Sequence, residues 1–134
     1  MLETYRKENR KIALGLLSFI TNRATNYDDL NQLLDWGLTT PRSVLLWENP
    51  TINQVSGIVI VELGPTYVLL REFALSPGDR SGRNMFAIFD ELKQRYPEHR
   101  LMGTLTTQSL LSSWEKARQY EEKINGNQFT APRR

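Results

Sequence analysis

Apolar positions along this chain keep two periods, and the switches between them outline its elements. In "NRKIALGLLSFI" (9–20), Ile12, Leu16 and Phe19 recur at i, i+4 and i+7, with Leu17 and Ile20 flanking. That spacing predicts one face of a helix. Gly15 inside it weakens the helix by roughly 1 kcal/mol relative to alanine. "TNRATN" breaks the pattern, and Asn26 is a predicted N-cap for a second helix. Asp28 and Asp29 fall in its first turn, where the helix dipole favours acids. Leu30, Leu33 and Leu34 form its apolar stripe, and Gly37 and Pro41 mark its end.

The middle of the chain changes to β-branched and aromatic runs: "SVLLWE" (43–48), "SGIVIVEL" (56–63) and "TYVLLREFAL" (66–75). Asn49-Pro50 and Gly64-Pro65 separate them, so the three read as an antiparallel meander. Alternation in the third run puts Tyr67, Leu69, Arg71, Phe73 and Leu75 on one face. Val68, Leu70, Glu72 and Ala74 take the other, so each face carries one charge. Beyond a turn, Met85, Phe89, Leu92 and Tyr96 return to helical spacing, ended by Pro97. "RLMGTLTT" (100–107) reads as a strand, and Thr107 is placed to cap a last helix with Leu110, Leu111, Trp114 and Ala117. A short edge strand is expected at the N-terminus. The order is then β, α, α, β, β, β, α, β, α: one domain over 1–124 and a loose tail over 125–134.

Composition narrows the chemistry. With 134 residues, 40% of them hydrophobic, the chain has material for a real core. It has no cysteine, which excludes disulfides, thiolate nucleophiles and Cys-based zinc sites. A single histidine, His99 in a polar loop, leaves little for a metal centre, and none is expected. The net charge of +2 is too small to make nucleic acid the default partner. No apolar run reaches membrane-spanning length, and "MLETYRKENRK" does not read as a signal peptide. A cytoplasmic monomer or homodimer is the expectation.

The segment Ala74–Phe86, "ALSPGDRSGRNMF", carries the most chemistry. A strand runs through two glycines and two arginines into a helix. Helix N-termini present unpaired N–H groups and a partial positive charge, which suits phosphate. Arginine adds a charged fork.

This turn and the element order together resemble the GNAT family of acyl-CoA-dependent N-acyltransferases. The family signature is a strand ending near Ser-Pro, then Arg/Gln-x-x-Gly-x-Gly/Ala at the start of the central helix. Ser76, Pro77 and Arg80 match it. Arg83 and Met85 fall on the two signature glycines; a shift by one restores Gly82 but misplaces Arg80. A side chain forced into left-handed geometry there would cost about 1–2 kcal/mol. In the last helix, "SWEKARQ" puts Trp114 at the family's tyrosine and keeps Glu115-Lys116, while Arg118 and Gln119 replace Gly-Phe. Indole N–H has no usable acidity, so Trp114 cannot replace that tyrosine as an acid. Too few residues follow the helix for the family's final hairpin.

The resemblance implies an α/β, GNAT-like fold: a mixed, mostly antiparallel sheet flanked by helices, with the C-terminal hairpin shortened or missing. It implies acetyl-CoA or coenzyme A as co-substrate. The pyrophosphate would lie on Arg80, Ser81, Gly82, Arg83, Asn84 and Met85, and the pantetheine arm along Phe73, Ala74 and Leu75. Glu72 would be the general base, and the acceptor a small-molecule or protein amine. "KIALGLLSF", "LLW" and "LTTQSLLSSWE" resemble, more narrowly, small GNAT-like proteins encoded with riboflavin-biosynthesis genes in Gram-positive bacteria. Two readings follow: an N-acetyltransferase, or an inactive GNAT-shaped module that binds a metabolite or protein.

Overall fold

A computed structural model describes residues 1–20 and 26–130. Residues 21–25 of the predicted break and 131–134 of the predicted tail lie outside the described residues. The strands are β1 (Leu2–Thr4), β2 (Arg42–Asn49), β3 (Gln54–Leu63), β4 (Tyr67–Leu75) and β5 (Arg100–Gly103). The helices are α1 (Arg10–Leu17), α2 (Tyr27–Gly37), α3 (Gly82–Arg95) and α4 (Gln108–Thr130). The strands form one sheet in the order β1-β2-β3-β4-β5. Neighbours are antiparallel except β4 and β5, which run parallel because α3 carries the chain back between them.

Each sheet face buries its own core. On one, α1 and α2 bring Ala13, Leu17, Leu30 and Leu34 against Val44, Leu46, Ile58 and Ile60. On the other, α3 and α4 bring Ile88, Phe89, Leu92, Leu111 and Trp114 against Leu45, Trp47, Val59 and Val61. Central strands covered on both faces explain the nearly unbroken apolar runs of β2 and β3. Glu91 of α3 ties the sheet edge to this layer, accepting from the Leu2 amide at 2.8 Å and from Trp47 Nε1 at 2.9 Å.

Asn26 caps α2, its side chain accepting from the Asp29 amide at 2.8 Å. α1 is rotated from the predicted stripe. Its buried side is Ala13, Leu14, Leu16 and Leu17, while Ile12 is exposed. Gly37 is the last residue of α2, at the end that the sequence predicts. A Cβ there would lie 2.9 Å from Ile60 Cδ1, so the glycine serves close helix–sheet packing. Strand β5 is shorter than predicted and stops at Gly103.

Two β-bulges decide where side chains point. Trp47 pairs with Gly57 and Glu48 with Val55, so Ser56 is an extra residue in β3. Ile60 pairs with Glu72 and Val61 with Leu70, so Arg71 is an extra residue in β4. The second bulge overturns the strict alternation expected of β4. Val68 and Leu70 before it, and Phe73 and Leu75 after it, pack with the α3–α4 core. Ala74 joins the α1–α2 core, and Glu72 shares that face through its pairing with Ile60.

Candidate functional site

Strand β5 accompanies β4 only from Tyr67 to Leu70. Beyond Leu70 the β5-side edge of β4, Arg71–Leu75, has no strand beside it among the described residues. Two contacts hold the strands apart. The Thr107 hydroxyl donates to the Leu70 carbonyl at 2.8 Å, and Gln108 Oε1 accepts from the Gly103 amide at 2.8 Å. The Thr107 hydroxyl, predicted as a helix cap, therefore closes the last paired position of β4.

The open edge forms one wall of a groove of about 410 Å³. Phe73, Ala74 and Leu75 line it from the strand, Arg80, Ser81 and Gly82 from the turn, and Met85 from α3. Phe19 beyond α1 and Leu110 of α4 complete it, one from each helical layer. Neither was among the candidates from sequence, because only the splay of the sheet brings these distant segments together. Arg83 and Asn84 do not line this groove. Asn84 instead ties the turn, its side chain donating to the Asp79 carbonyl at 2.9 Å.

The turn is held by Asp79. Its carboxylate accepts from Ser76 Oγ at 3.1 Å and from Asn49 Nδ2 at 3.3 Å. Ser81 is the N-cap of α3, its hydroxyl accepting from the Asn84 amide at 3.1 Å. The Met85 amide bonds the Ser81 carbonyl at 3.0 Å. The amides of Gly82 and Arg83, at the exposed start of the helix, make no hydrogen bond with the described residues. Arg80 stands beside them. Its Nε donates to the Leu75 carbonyl at 3.2 Å and its guanidinium carbon lies 5.7 Å from the centre of the Phe19 ring. This donor set, main-chain amides at a helix start beside a guanidinium, fits a diphosphate.

The strain expected from side chains at Arg83 and Met85 is absent. No residue of this turn has positive φ, and a Cβ at Gly78 or Gly82 would meet nothing within 4 Å. The helix has already begun at Gly82, so Arg83 and Met85 adopt ordinary helical geometry. Met85 forms a side of the groove without plugging it.

Glu72 is buried, at 6% exposure, on the face opposite its neighbour Phe73. Phe73 stacks at 5.4 Å on Phe89, which meets Trp114 edge-on at 6.0 Å. Trp114 is 3% exposed and donates its indole N–H to Asp90 Oδ1 at 2.9 Å. It supports the groove floor from behind. His99 is half-buried and lines a separate cavity of about 470 Å³. Among the described residues no helix is long and apolar enough to cross a membrane.

A sheet that parts beside the start of a helix matches solved structures over most of the chain. A probable acetyltransferase superposes with a TM-score of 0.67, at 9% identity over 87% of each chain. This is the GNAT acetyltransferase fold. A candidate acetyltransferase of the GNAT family from Desulfovibrio desulfuricans has a TM-score of 0.61, at 12% identity over 87% of this chain and 82% of that one. An aminoglycoside 6′-N-acetyltransferase solved with coenzyme A has a TM-score of 0.56, at 10% identity, covering 71% of this chain and 54% of that one. No family model matches the sequence. Among the described residues of this GNAT fold no strand follows α4.

Proposed function

We propose that the protein is an acetyl-CoA-dependent N-acetyltransferase. One observation carries this reading: the unpaired edge of β4 runs directly to a helix start whose first amides have no internal partner. The diphosphate of coenzyme A would take the amides of Gly82 and Arg83 and the guanidinium of Arg80. Its pantetheine arm, an amide-bearing chain, would lie along Phe73–Leu75 like an added strand. Phe19 and Leu110 would flank it.

In the proposed reaction the nitrogen lone pair of an amine attacks the thioester carbonyl carbon. A C–N bond forms, the C–S bond breaks, and coenzyme A leaves as thiolate. The amine loses a proton as the amide forms, and the thiolate gains one. Glu72 is the candidate base for the first transfer. Trp114 is excluded as acid for the second, since its N–H is held by Asp90 and is not acidic; water supplies that proton. Holding amine and thioester together provides much of the acceleration. The stretches resembling small GNAT-like proteins encoded with riboflavin genes support a link to riboflavin metabolism, with the acceptor an amine of unknown identity.

A second reading, a GNAT-shaped binder without transfer, is favoured by the tryptophan at the family's tyrosine. Calorimetry with acetyl-CoA, followed by thiol release with amines, separates the two. Saturable binding weakened about tenfold or more by Arg80→Ala is expected, the size of a lost charge-assisted contact. Glu72→Gln is expected to lower kcat with little change in acetyl-CoA affinity. Binding without thiol release for any amine, or no heat at millimolar acetyl-CoA, supports the second reading.

A further inference from the structure

The bulge residue Arg71 belongs to a charged cluster outside the groove. Trp36, at the end of α2, carries two guanidinium groups over its ring, with Arg42 Cζ at 4.4 Å and Arg71 Cζ at 4.9 Å from its centre. Arg42 is committed. Its Nε donates to the Trp36 carbonyl at 2.8 Å and its Nη1 to Glu62 Oε1 at 3.3 Å. Among the described residues the ion-pair partner of Arg71 is the same Glu62 oxygen, at 3.9 Å, beyond hydrogen-bond range. Its donors make no hydrogen bond with the described residues, and its side chain is 34% exposed. Two guanidiniums thus share the Glu62 carboxylate, and only Arg42 is within hydrogen-bond range of it. The Trp36 face and the bulge hold Arg71 in place, so its planar fork is ordered in advance.

The position of this fork relative to the open edge gives it a use. Arg71 is the first β4 residue past the end of β5, about 7 Å along the strand from Phe73. Glu72 stands between them, on the α1–α2 face that also holds Trp36. In the proposed reaction an acceptor amine reaching a thioester beside Phe73 would extend along β4 toward Arg71. We infer that Arg71 recognises an oxyanion on the acceptor, so that the substrate is a small primary amine carrying a carboxylate or phosphate. This rests on the acetyltransferase reading only for the amine; the oxyanion contact stands on the cluster itself.

The test follows the Trp36 indole N–H by NMR in the full chain during titration with four amines. O-phosphoethanolamine and β-alanine carry the two oxyanions; ethanolamine and spermidine carry none. A saturable shift is expected with one or both anionic amines, with affinity about tenfold or more above ethanolamine, as a charge-assisted contact provides. Whichever of the two binds more tightly identifies phosphate or carboxylate. Arg71→Gln should abolish that preference while leaving acetyl-CoA calorimetry unchanged. Arg71→Lys, which keeps the charge on the strand, should fold in any case and weaken the anionic amine several-fold by losing the fork. Equal affinity for ethanolamine, preference for spermidine, or an unchanged preference in Arg71→Lys overturns the inference. If acetyl-CoA does not bind yet the anionic amines still shift Trp36 through Arg71, the acetyltransferase reading fails and the oxyanion site stands. If acetyl-CoA binds and ethanolamine is acetylated as fast as O-phosphoethanolamine and β-alanine, the inference fails and the reading stands.

Discussion

Thr107 donates its hydroxyl to the carbonyl of Leu70, 37 residues earlier, at 2.8 Å in a buried position. The bond ends the β4–β5 ladder. Without it, a strand carbonyl would be left buried at the point where the sheet opens. Thr107→Val keeps the shape and removes the donor, so a loss of about 1–3 kcal/mol is expected. Thr107→Ser keeps the hydroxyl and should lose less. Urea unfolding followed by circular dichroism measures both, and a valine variant as stable as the parent would contradict this role.

Gly103, the last residue of β5, faces the start of α4 at very close range. A Cβ there would lie 2.6 Å from both the backbone nitrogen and the Cα of Gln108. Backbone cannot rotate away as a side chain can. Gly103→Ala should therefore cost about 1–3 kcal/mol or more through overpacking. Gly78, in the turn before α3, has nothing within 4 Å of such a Cβ and no positive φ. Gly78→Ala should stay within about 0.5 kcal/mol of the parent or gain slightly. Thermal melts of the two variants side by side check the contrast.

Ser56 is the extra residue of the β3 bulge. Its carbonyl accepts from the Ser76 amide at 2.8 Å, but its buried hydroxyl has no partner among the described residues. An unmade hydrogen bond in the interior costs about 1–3 kcal/mol. Ser56→Ala removes the hydroxyl without changing the backbone. The variant is expected to equal or exceed the parent in urea midpoint at unchanged m-value, and a clear loss would reveal a partner for the hydroxyl.

The helix-forming and strand-forming segments were legible because their signals are local. Asn26 caps the helix that its spacing to Asp29 predicts. The β-branched runs pair as the meander that Asn49-Pro50 and Gly64-Pro65 suggest. Less legible was which way residues face. The helix α1 turned Ile12 outward, since α1 packs on the sheet through Ala13, Leu14 and Leu17 rather than through the stripe that its spacing predicts. The Arg71 bulge reversed the faces of β4, and no residue type in "LLREFAL" announces an inserted position.

The candidate site divides along the same line. Sequence alone determined a strand, a turn with Arg80 and a helix start in succession, because capping, helix polarity and turn chemistry act over a few residues. It also determined that the chain has no cysteine and that Trp114 stands where the family's last helix carries its tyrosine. Only the tertiary structure decided that β5 leaves β4 at Leu70, that Phe19 and Leu110 close a groove over the exposed edge, and that Arg42, Arg71 and Trp36 meet. Those arrangements depend on contacts between residues far apart in the chain, set by how two helical layers pack on one sheet. No local pattern of apolar and polar positions encodes them.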